Sequence, residues 1–325
     1  MRLCVTGGAG YIGSVVAQAL LHDGHDVTIV DNISTGHLSA VPEGCRFVRG
    51  DIRESGTLTD AFGTDTDAVL HFAALSIVGD SVSRPLDYFD NNIGGTVSLL
   101  QSMKTHGVKK IVFSSSAAVY GEPERLPIVE TDVCRPSNPY GFSKFAVEQM
   151  LEASRVAWEL QYVSLRYFNA GGSTTVHGED HNPETHLIPI VLDVAAGRRK
   201  SFTIFGDDYD TRDGTCLRDY IHVYDLADAH IRALSAMEHA YSGVLNLGSE
   251  NAFTVAEVVS AVERVTGMKV KYEIGPRRPG DPPALLASSK QAERVLGWKK
   301  RRSSLDEIIR SAHEWRLEHP DGYPS

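Results

Sequence analysis

The chain has little of what marks disulfide-stapled, cysteine-metal or membrane-inserted proteins. Its 325 residues contain only four cysteines, Cys4, Cys45, Cys134 and Cys216, with no CxxC pair and no tight spacing. This scatter argues against a disulfide framework or a cysteine zinc site, so we expect a cytoplasmic protein. The apolar start lasts only a few residues before a glycine cluster, which is too short for a signal peptide or a membrane span.

Positive charge is also scarce. The formal net charge is −10, with 32 basic against 42 acidic residues. Nonspecific binding to nucleic acid needs a positive face, so we expect neither a nucleic-acid partner nor a membrane partner. Binding of a small anion at a local site stays possible.

Short apolar, β-branched runs alternate with helix-period stretches through the first half of the chain. These runs are residues 3–6, 27–30, 47–48, 68–72, 110–114 and 162–165. The alternation predicts an α/β fold with a doubly wound parallel Rossmann sheet, because near-continuous apolar strands need helices on both faces. Ligands of such folds bind beyond the carboxyl ends of the strands.

The residue pattern changes after Asn169: residues 171–186 are polar, contain glycine and show no periodicity. We therefore expect a domain of residues 1–168 that binds a nucleotide cofactor and a smaller, mixed α/β C-terminal lobe of residues 169–325 that binds substrate. Residues 223–237 and 243–247 have the pattern of a helix and a strand. We expect this segment, 223–247, to return to the first domain.

A glycine cluster follows the first predicted strand and opens a helix at Tyr11. Gly7, Gly10 and Gly13 allow a tight turn, close approach of the backbone to a pyrophosphate, and packing of the helix on the strand. Asp31 ends the second predicted strand, where a carboxylate can accept both ribose hydroxyls. This arrangement predicts NAD and not NADP, since a 2′-phosphate would face a negative charge.

Asp51 follows the third predicted strand and is open to two interpretations. It could face the adenine amino group of the cofactor, or it could be a plain N-cap of the next helix.

Three residues predict a reactive centre. Tyr140 and Lys144 are four residues apart in a helix that Ser137 or Asn138 can cap, so the ammonium group lies near the phenol. We expect that cation, the helix N-terminus and NAD⁺ to lower the pKa of Tyr140 and make it a base. Ser116 ends the fifth predicted strand and can relay a proton to the phenolate.

Taken together, these motifs resemble the UDP-glucose (UDP-galactose) 4-epimerases of the extended short-chain dehydrogenase/reductase family. The matching segments are residues 7–13, 31–32, 50–52, 71–74, 90–92, 114–121, 140–144, 166–169, 204–206, 218–223 and 277–281. The resemblance therefore covers nearly the whole chain. It implies NAD as cofactor, UDP-glucose and UDP-galactose as substrates, and a homodimer formed by the helical stretches 83–106 and 140–155.

The resemblance also implies a role for each matching residue. Ser116, Tyr140 and Lys144 are the expected catalytic residues. The expected NAD-binding residues are Gly7, Gly10, Tyr11, Ile12, Gly13, Asp31, Asn32, Asp51, Ile52, Phe72, Ala73, Ala74, Asn91, Ser114, Tyr140, Lys144 and Phe168. The expected substrate-binding residues are Ser116, Tyr140, Asn169, His186, Leu187, Phe205, Arg218, Tyr220, Arg278, Asp281 and Leu285.

The implied reaction oxidises C4 of the sugar, lets the 4-keto intermediate reorient and returns the hydride to its other face. Nucleotide-sugar dehydratases carry an acid just after the serine or threonine, whereas this chain has Ala117 and Ala118. Asp31 argues against an NADP-dependent reductase. The complete set of Ser116, Tyr140 and Lys144 argues against a catalytically silent NAD-binding regulator.

Three positions depart from the family pattern or set specificity. Ser76 stands where many relatives have a lysine, which predicts looser retention of NAD, and His186 stands where an asparagine is common. Leu285 stands where relatives have either tyrosine or a small residue, so we expect slow turnover of an N-acetylated sugar.

Histidines and acids cluster in residues 177–186. Their spacing lacks the i,i+4 geometry of a helical metal site, so we expect no metal.

Overall fold

A computed structural model describes residues 1–63, 65–278 and 282–324. The described strands are β1 (Arg2–Thr6), β2 (Asp26–Asp31), β3 (Arg46–Arg49), β4 (Ala68–His71), β5 (Lys110–Ser116), β6 (Gln161–Tyr167), β7 (Asn169–Gly171), β8 (Phe202–Phe205), β9 (Leu217–His222), β10 (Gly243–Leu247), β11 (Ala252–Thr254), β12 (Tyr272–Gly275) and β13 (Ala284–Leu285).

The described helices alternate with the strands in the first half of the chain. They are α1 (Tyr11–His22), α2 (Ser55–Phe62), α3 (Val78–Ser83), α4 (Pro85–Tyr88), α5 (Gly95–Thr105), α6 (Pro139–Trp158), α7 (Leu187–Ala195), α8 (Val223–Glu238), α9 (Val255–Thr266), α10 (Lys290–Leu296) and α11 (Leu305–Glu318). No helix in the described ranges combines the length and apolar character needed to cross a membrane.

A seven-stranded sheet organises the first part of the molecule, in the order β10-β6-β5-β4-β1-β2-β3, with every neighbouring pair parallel. Helices α1 and α8 cover one face through side chains such as Leu20 and Leu226, and α2, α5 and α6 cover the other through Leu58, Leu99 and Leu151. The predicted doubly wound α/β sheet is confirmed. The strand predicted at residues 243–247 is β10, which lies at the edge of this sheet beside β6.

The smaller lobe is centred on β9, which pairs with β7 and β13 in parallel and with β11 in antiparallel orientation. A separate parallel pair, β8 and β12, lies further out. Helices α7, α9 and α11 bury a second apolar cluster that includes Ile188, Val258 and Ile308. Short strands of both orientations make this a mixed α/β lobe, as predicted.

The helical stretch predicted over residues 83–106 is not one regular helix. Helix α3 ends before Arg84, because the following Pro85 disfavours helical backbone at the residue that precedes it. A π-helical turn spans Phe89–Gly94 before α5 begins. That turn presents Asn92, whose amide donates to the carbonyl of Leu75 at 3.0 Å and accepts its N–H at 2.8 Å. The irregular segment thus holds the loop that follows β4.

Candidate active site

A single cavity of about 1070 Å³ runs from the carboxyl edge of the seven-stranded sheet to the second lobe. Ligand pockets typically measure roughly 300–1,000 Å³, so this one has room for a dinucleotide and a second ligand. The segments after β1, β2, β4 and β5 line one end, and residues of β8, β9 and β13 line the other. The position follows from topology, because parallel strands end together at one edge.

The glycine turn fits a pyrophosphate. Gly10 is the N-cap residue of α1, and no side chain caps the helix, so its first amide groups stay available to an anion. A Cβ added at Gly13 would lie 2.2 Å from the carbonyl oxygen of Gly7. Only glycine lets the helix pack this closely on the turn.

Asp31 lies at the end of β2, as predicted, and is tied to the same turn. One carboxylate oxygen accepts the N–H of Ala9 at 3.0 Å and the other accepts the N–H of Ile33 at 2.8 Å. Burial raises the pKa of Asp31, and the two hydrogen bonds oppose that rise. A carboxylate fixed here suits the ribose hydroxyls of NAD and opposes a 2′-phosphate.

Asp51 is not the N-cap of α2, because that position belongs to Glu54. Its carboxylate accepts Nε and Nη2 of Arg53 at 2.9 and 2.7 Å and the amide of Asn32 at 3.1 Å. The hydrogen bonds from Arg53 hold the pKa of Asp51 at about 2, although burial acts in the other direction. The charged carboxylate lines the cavity. Of the two interpretations, contact of Asp51 with the adenine amino group of the cofactor therefore stays a prediction.

Ser116, Tyr140 and Lys144 lie together in the middle of the cavity. The Ser116 hydroxyl accepts the N–H of Ala118 at 3.2 Å and lies near enough to the phenol of Tyr140 to act on its pKa. The ammonium nitrogen of Lys144 lies 5.8 Å from the Tyr140 ring centroid and donates to the carbonyl of Ser114 at 2.8 Å. The predicted pairing of a phenol, a hydroxyl and an ammonium group is therefore present in space.

Local sequence explains why α6 delivers Tyr140 to this point. Of the two predicted caps, Asn138 is the N-cap and accepts the N–H of Gly141 at 2.9 Å, a contact typically worth about 1 kcal/mol. Pro139 is the first helical residue, which its fixed φ favours. A Cβ at Gly141 would lie 2.4 Å from the carbonyl oxygen of Ala118. Glycine therefore lets the helix start directly against the turn that follows Ser116.

The electrostatics of the centre differ from the sequence expectation. Burial raises the pKa of Tyr140, with only the hydrogen bond to Ser116 acting to lower it. Burial also lowers the pKa of Lys144 to about 7, while the charge of Glu148 raises it. The protein groups alone do not make Tyr140 acidic. A lowering of its pKa, as expected from the sequence, would need a positive charge from outside the protein, such as that of NAD⁺.

Strand β9 gathers the residues at the other end of the cavity. Asn169 is the β-partner of Tyr220, and Leu285 is the β-partner of Arg218. The guanidinium carbon of Arg278 lies 3.9 Å from the Phe205 ring centroid. These contacts bring an aromatic ring and two arginines to one site, a combination that suits a base and a diphosphate.

The structure brings together every predicted site residue that it describes. The glycine turn, Tyr11, Ile12, Asp31, Asn32, Asp51, Ile52, Phe72, Ala73, Ala74, Asn91, Ser114, Ser116, Tyr140, Lys144, Phe168, Asn169, His186, Leu187, Phe205, Arg218, Tyr220, Arg278 and Leu285 all line the cavity. Asp281 lies outside the described residues. Ser76, the departure from the family pattern, lines the same cavity.

Comparison with known proteins supports the same interpretation. The model of the NAD dependent epimerase/dehydratase family matches residues 3–248, which is most of the chain. The chain belongs to this family. It is 50% identical to the UDP-glucose 4-epimerase of Lacticaseibacillus casei, with 99% of each chain covered.

Solved structures of this family agree in fold over almost the whole chain. The UDP-glucose 4-epimerase of Brucella ovis in complex with NAD gives a TM-score of 0.93 at 46% identity, covering 96% of this chain and 97% of that one. The enzyme of Bifidobacterium longum in complex with NAD⁺ and UDP gives 0.94 at 40% identity, covering 99% and 100%. We conclude that this chain is an NAD-dependent enzyme of this family.

Sequence reasoning missed a buried ion pair behind the reactive centre. Arg166 and Glu148 form two hydrogen bonds of 2.9 and 2.6 Å, and Ser115 donates to the same carboxylate at 2.6 Å. Both charged side chains are at most 5% exposed. The pair joins α6 to β5 and β6 below Lys144. A glutamate four residues after Lys144, on the same helix face, was the available signal.

A second missed feature is the contact between α1 and the loop that follows β7. The Tyr11 hydroxyl donates to the carbonyl of Gly172 at 2.5 Å, and the ring of His181 packs edgewise against the Tyr11 ring. Glu179, His181 and Glu184 line the cavity beside His186. No sequence pattern marks which distant residues such a loop will contact.

Proposed function

We propose that this chain interconverts UDP-glucose and UDP-galactose by reversible, NAD-dependent oxidation at C4 of the sugar. The single observation that carries the proposal is the placement of Ser116, Tyr140 and Lys144 between the glycine turn and the two arginines of one cavity. The names of the relatives support the choice of substrate, since UDP-glucose 4-epimerases are similar over nearly the whole length of the chain.

Tyr140 acts as the base that removes the proton of the C4 hydroxyl and later returns it. NAD⁺ held by the glycine turn and Asp31 would supply a reversible hydride acceptor for C4 of the sugar. Ser116 hydrogen-bonds the sugar hydroxyl and relays its proton, because it lies beside Tyr140 in the same cavity. The two half-reactions reverse each other, so no reduced cofactor is released.

Lys144 acts on Tyr140 and on the cofactor. Its ammonium group is held by the carbonyl of Ser114 and lies beside the phenol, where a positive charge stabilises the phenolate. We propose that Ser114, Tyr140 and Lys144 also contact the cofactor, because all three line its end of the cavity.

The remaining cofactor contacts come from strand ends of the seven-stranded sheet. We propose that Asp31 binds the adenosine ribose and that Asp51 faces the adenine. The other proposed NAD-binding residues are Gly7, Gly10, Tyr11, Ile12, Gly13, Asn32, Ile52, Phe72, Ala73, Ala74, Asn91 and Phe168.

The UDP-sugar occupies the far end of the cavity. Arg218 and Arg278 bind the diphosphate, and Phe205, against which Arg278 stacks, flanks the uracil ring. Asn169, Leu187, Tyr220 and Leu285 complete the proposed substrate contacts, with His186 and Asp281 as the family pattern implies. Firm binding of the nucleotide and weak binding of the hexose let the sugar turn over without release.

The family also contains dehydratases, and one feature favours epimerisation. Elimination of water needs an acid next to the serine, but the two residues after Ser116 are Ala117 and Ala118. The C4 ketone therefore lacks that partner for elimination.

We propose that residues 1–168 with 223–247 form the NAD-binding domain and that residues 169–325 form the UDP-sugar lobe. In support, α8 packs against α1 on the seven-stranded sheet and β10 extends that sheet. The four free thiols support a cytoplasmic location.

We further propose a homodimer formed through α3 to α6. Val82, Leu86, Val97 and Phe142 on these helices are 39–76% exposed, which makes an apolar surface suited to a second copy. Leu86→Glu with Phe142→Glu should give a monomer by sedimentation velocity, while Leu317→Glu, on the exposed side of α11, should not. A monomeric wild-type chain at micromolar concentration would refute the dimer.

The decisive test of function uses the enzyme as purified. It is incubated with UDP-galactose without added NAD, and products are separated by chromatography. We expect UDP-glucose to form with no accumulation of NADH. Steady NADH release, or a 4-keto-6-deoxy sugar as product, would contradict the proposal.

A further inference from the structure

The loop between β7 and α7 brings four possible metal ligands together at the edge of the cavity. Glu179, His181, Glu184 and His186 each offer one ligand atom, and these atoms lie within 4.8 Å of one another. The loop has no helix or strand of its own between Gly172 and His186.

Four separations between these side chains are close to those of ligands on one metal ion, although the widest pair, at up to 4.8 Å, would have to draw together on binding. His186 Nδ1 lies 2.9 Å from Glu179 Oε1 and 3.1 Å from Glu184 Oε1. His181 Nδ1 lies 3.5 Å from Glu179 Oε1 and 3.8 Å from Glu184 Oε2. Ligands at about 2.0–2.2 Å from a tetrahedral metal are roughly 3.4 Å apart, which is the middle of this range.

Burial and hydrogen bonding also indicate an ion. Glu179 is 7% exposed and Glu184 is 11% exposed. His181 Nδ1 and Glu184 Oε2 are shielded from solvent, yet neither has a hydrogen-bond partner among the described residues. Unsatisfied buried polar atoms are costly, and a metal ion would satisfy both at once.

The surroundings of Glu184 resemble the support that ligating carboxylates usually have. Its Oε1 accepts the backbone N–H groups of Thr185 and His186 at 2.8 and 2.9 Å, which fixes the direction of the carboxylate. Arg316 approaches Oε2 only to 3.7 Å and donates instead to Asp193 at 2.9 Å. The neighbouring cation therefore leaves the ligand atom without a hydrogen bond.

We propose that Glu179, His181, Glu184 and His186 bind one divalent transition-metal ion, such as Zn²⁺, in a structural site. Two carboxylates balance the charge of the ion, and imidazole with carboxylate is a donor set that zinc and its neighbours accept. Four protein ligands close the coordination sphere, which is typical of structural sites. The sequence expectation of no metal rested on chain spacing and on a hydride mechanism that requires no metal; a structural ion is compatible with that mechanism, and this inference reverses the expectation.

The ion would link the two ends of the cavity. His181 packs against Tyr11 in the first turn of α1, while His186 is the N-cap residue of α7 and precedes Leu187. A metal that fixes both histidines therefore holds the substrate-lobe loop against the glycine turn. This binding does not depend on which sugar the enzyme uses.

An ion-free alternative has the same charge balance. In it both histidines are protonated and pair with the two glutamates. Burial opposes that charge, but Glu179 and Glu184 raise the pKa of His181 to about 9 and that of His186 to about 10. Metal titration separates the two cases, because paired imidazolium groups do not bind a cation.

The test uses the full chain without a polyhistidine tag. After treatment with pyridine-2,6-dicarboxylate and removal of the chelator, Co²⁺ is titrated and the visible spectrum is recorded. We expect one Co²⁺ per chain with the strong d–d bands of four-coordinate cobalt, displaced by Zn²⁺. Zinc should also raise the Tm of the chelated protein, since a ligand that binds only the folded state stabilises it.

Matched variants locate the site. Glu179→Gln and His181→Asn should each weaken Co²⁺ binding by more than about 100-fold, because a lost ligand costs more than a lost supporting contact. Thr185→Ala changes the same loop without removing a ligand and should bind as wild type does. Far-ultraviolet circular dichroism and retained NAD verify the fold of each variant.

Two results would overturn the site. Wild-type protein that gives no cobalt spectrum and no zinc-dependent rise in Tm would favour the ion-free pairs. Equal binding by wild type, Glu179→Gln and His181→Asn would assign the ion to other surface groups. Neither result bears on the epimerase assay, so the two proposals fail separately.

Discussion

The two ends of the cavity are built in different ways. At the nucleotide end, Gly13 lies in the first turn of the helix that follows β1 and Asp31 is the last residue of β2, so their position follows from local sequence and sheet topology. At the sugar end, Arg218 and Leu285 are 67 residues apart in the chain and meet only because β13 pairs with β9. The first end is closely packed around its glycines, whereas the second is assembled from separate loops and short strands.

This contrast predicts different consequences of substitution. A single substitution at the sheet edge should cause a large loss of kcat or of the free energy of unfolding. A single substitution in the lobe should change substrate affinity or selectivity by a smaller amount, because several groups share the binding of one ligand.

Tyr140→Phe should give the largest effect. Removing the hydroxyl leaves the ring packing but eliminates the proton acceptor, so we expect kcat to fall by about 10³-fold. NAD released by denaturation should still be stoichiometric with protein when measured by chromatography. A parallel loss of NAD and activity would instead indicate a structural role for the phenol.

Gly13→Val should destabilise the fold itself. Its Cβ would meet the Gly7 carbonyl oxygen at 2.2 Å, and we expect the free energy of unfolding to fall by about 3 kcal/mol, measured by urea denaturation. Gly56→Ala is the control, since a Cβ there meets nothing within 4 Å. The control should unfold at the same or a slightly higher urea concentration. Similar losses in both variants would contradict the close packing of α1 on its turn.

Arg278→Met should act mainly on substrate affinity. A hydrogen bond to a charged group is worth about 1.5–3 kcal/mol, so KM for UDP-galactose should rise roughly 10- to 100-fold with little change in kcat. Arg277→Met is a matched control, because Arg277 pairs with Asp208 at 2.7 Å and packs on Tyr209 outside the cavity. If the control raised KM equally, the diphosphate would not lie against Arg278.

Leu285 substitutions should give the smallest effect. A tyrosine at this position should suppress turnover of UDP-N-acetylglucosamine and spare UDP-glucose, and a serine should raise it. Size discrimination of this kind is worth about 1–3 kcal/mol, so selectivity should shift by roughly 10-fold and not become absolute. The ratio of the two kcat/KM values measures it. If Leu285→Tyr and Leu285→Ser both keep the wild-type ratio, Leu285 does not contact the sugar.

Local patterns were enough to predict the strands of the seven-stranded sheet and the pairing of Tyr140 with Lys144 in space, while the catalytic role of this pair stays a prediction. The alternation of apolar strands with helices, the N-cap Asn138 with Pro139, and the four-residue spacing of Tyr140 and Lys144 are short-range properties. The substrate residues were predicted by family resemblance and not by pattern, because their approach depends on the register of β9 with β7 and β13.

The sequence by itself determined where the glycine turn, Asp31 and the Tyr140 helix begin, since hydrogen-bonding and steric rules act over a few neighbouring residues. Tertiary structure alone decided the buried pair of Glu148 and Arg166 and the meeting of Glu179 with His186. Each of these depends on burial among distant elements, where desolvation sets the pKa of Lys144 and Tyr140. A one-dimensional spacing carries no information about that burial, because the contacts that exclude water come from other parts of the chain.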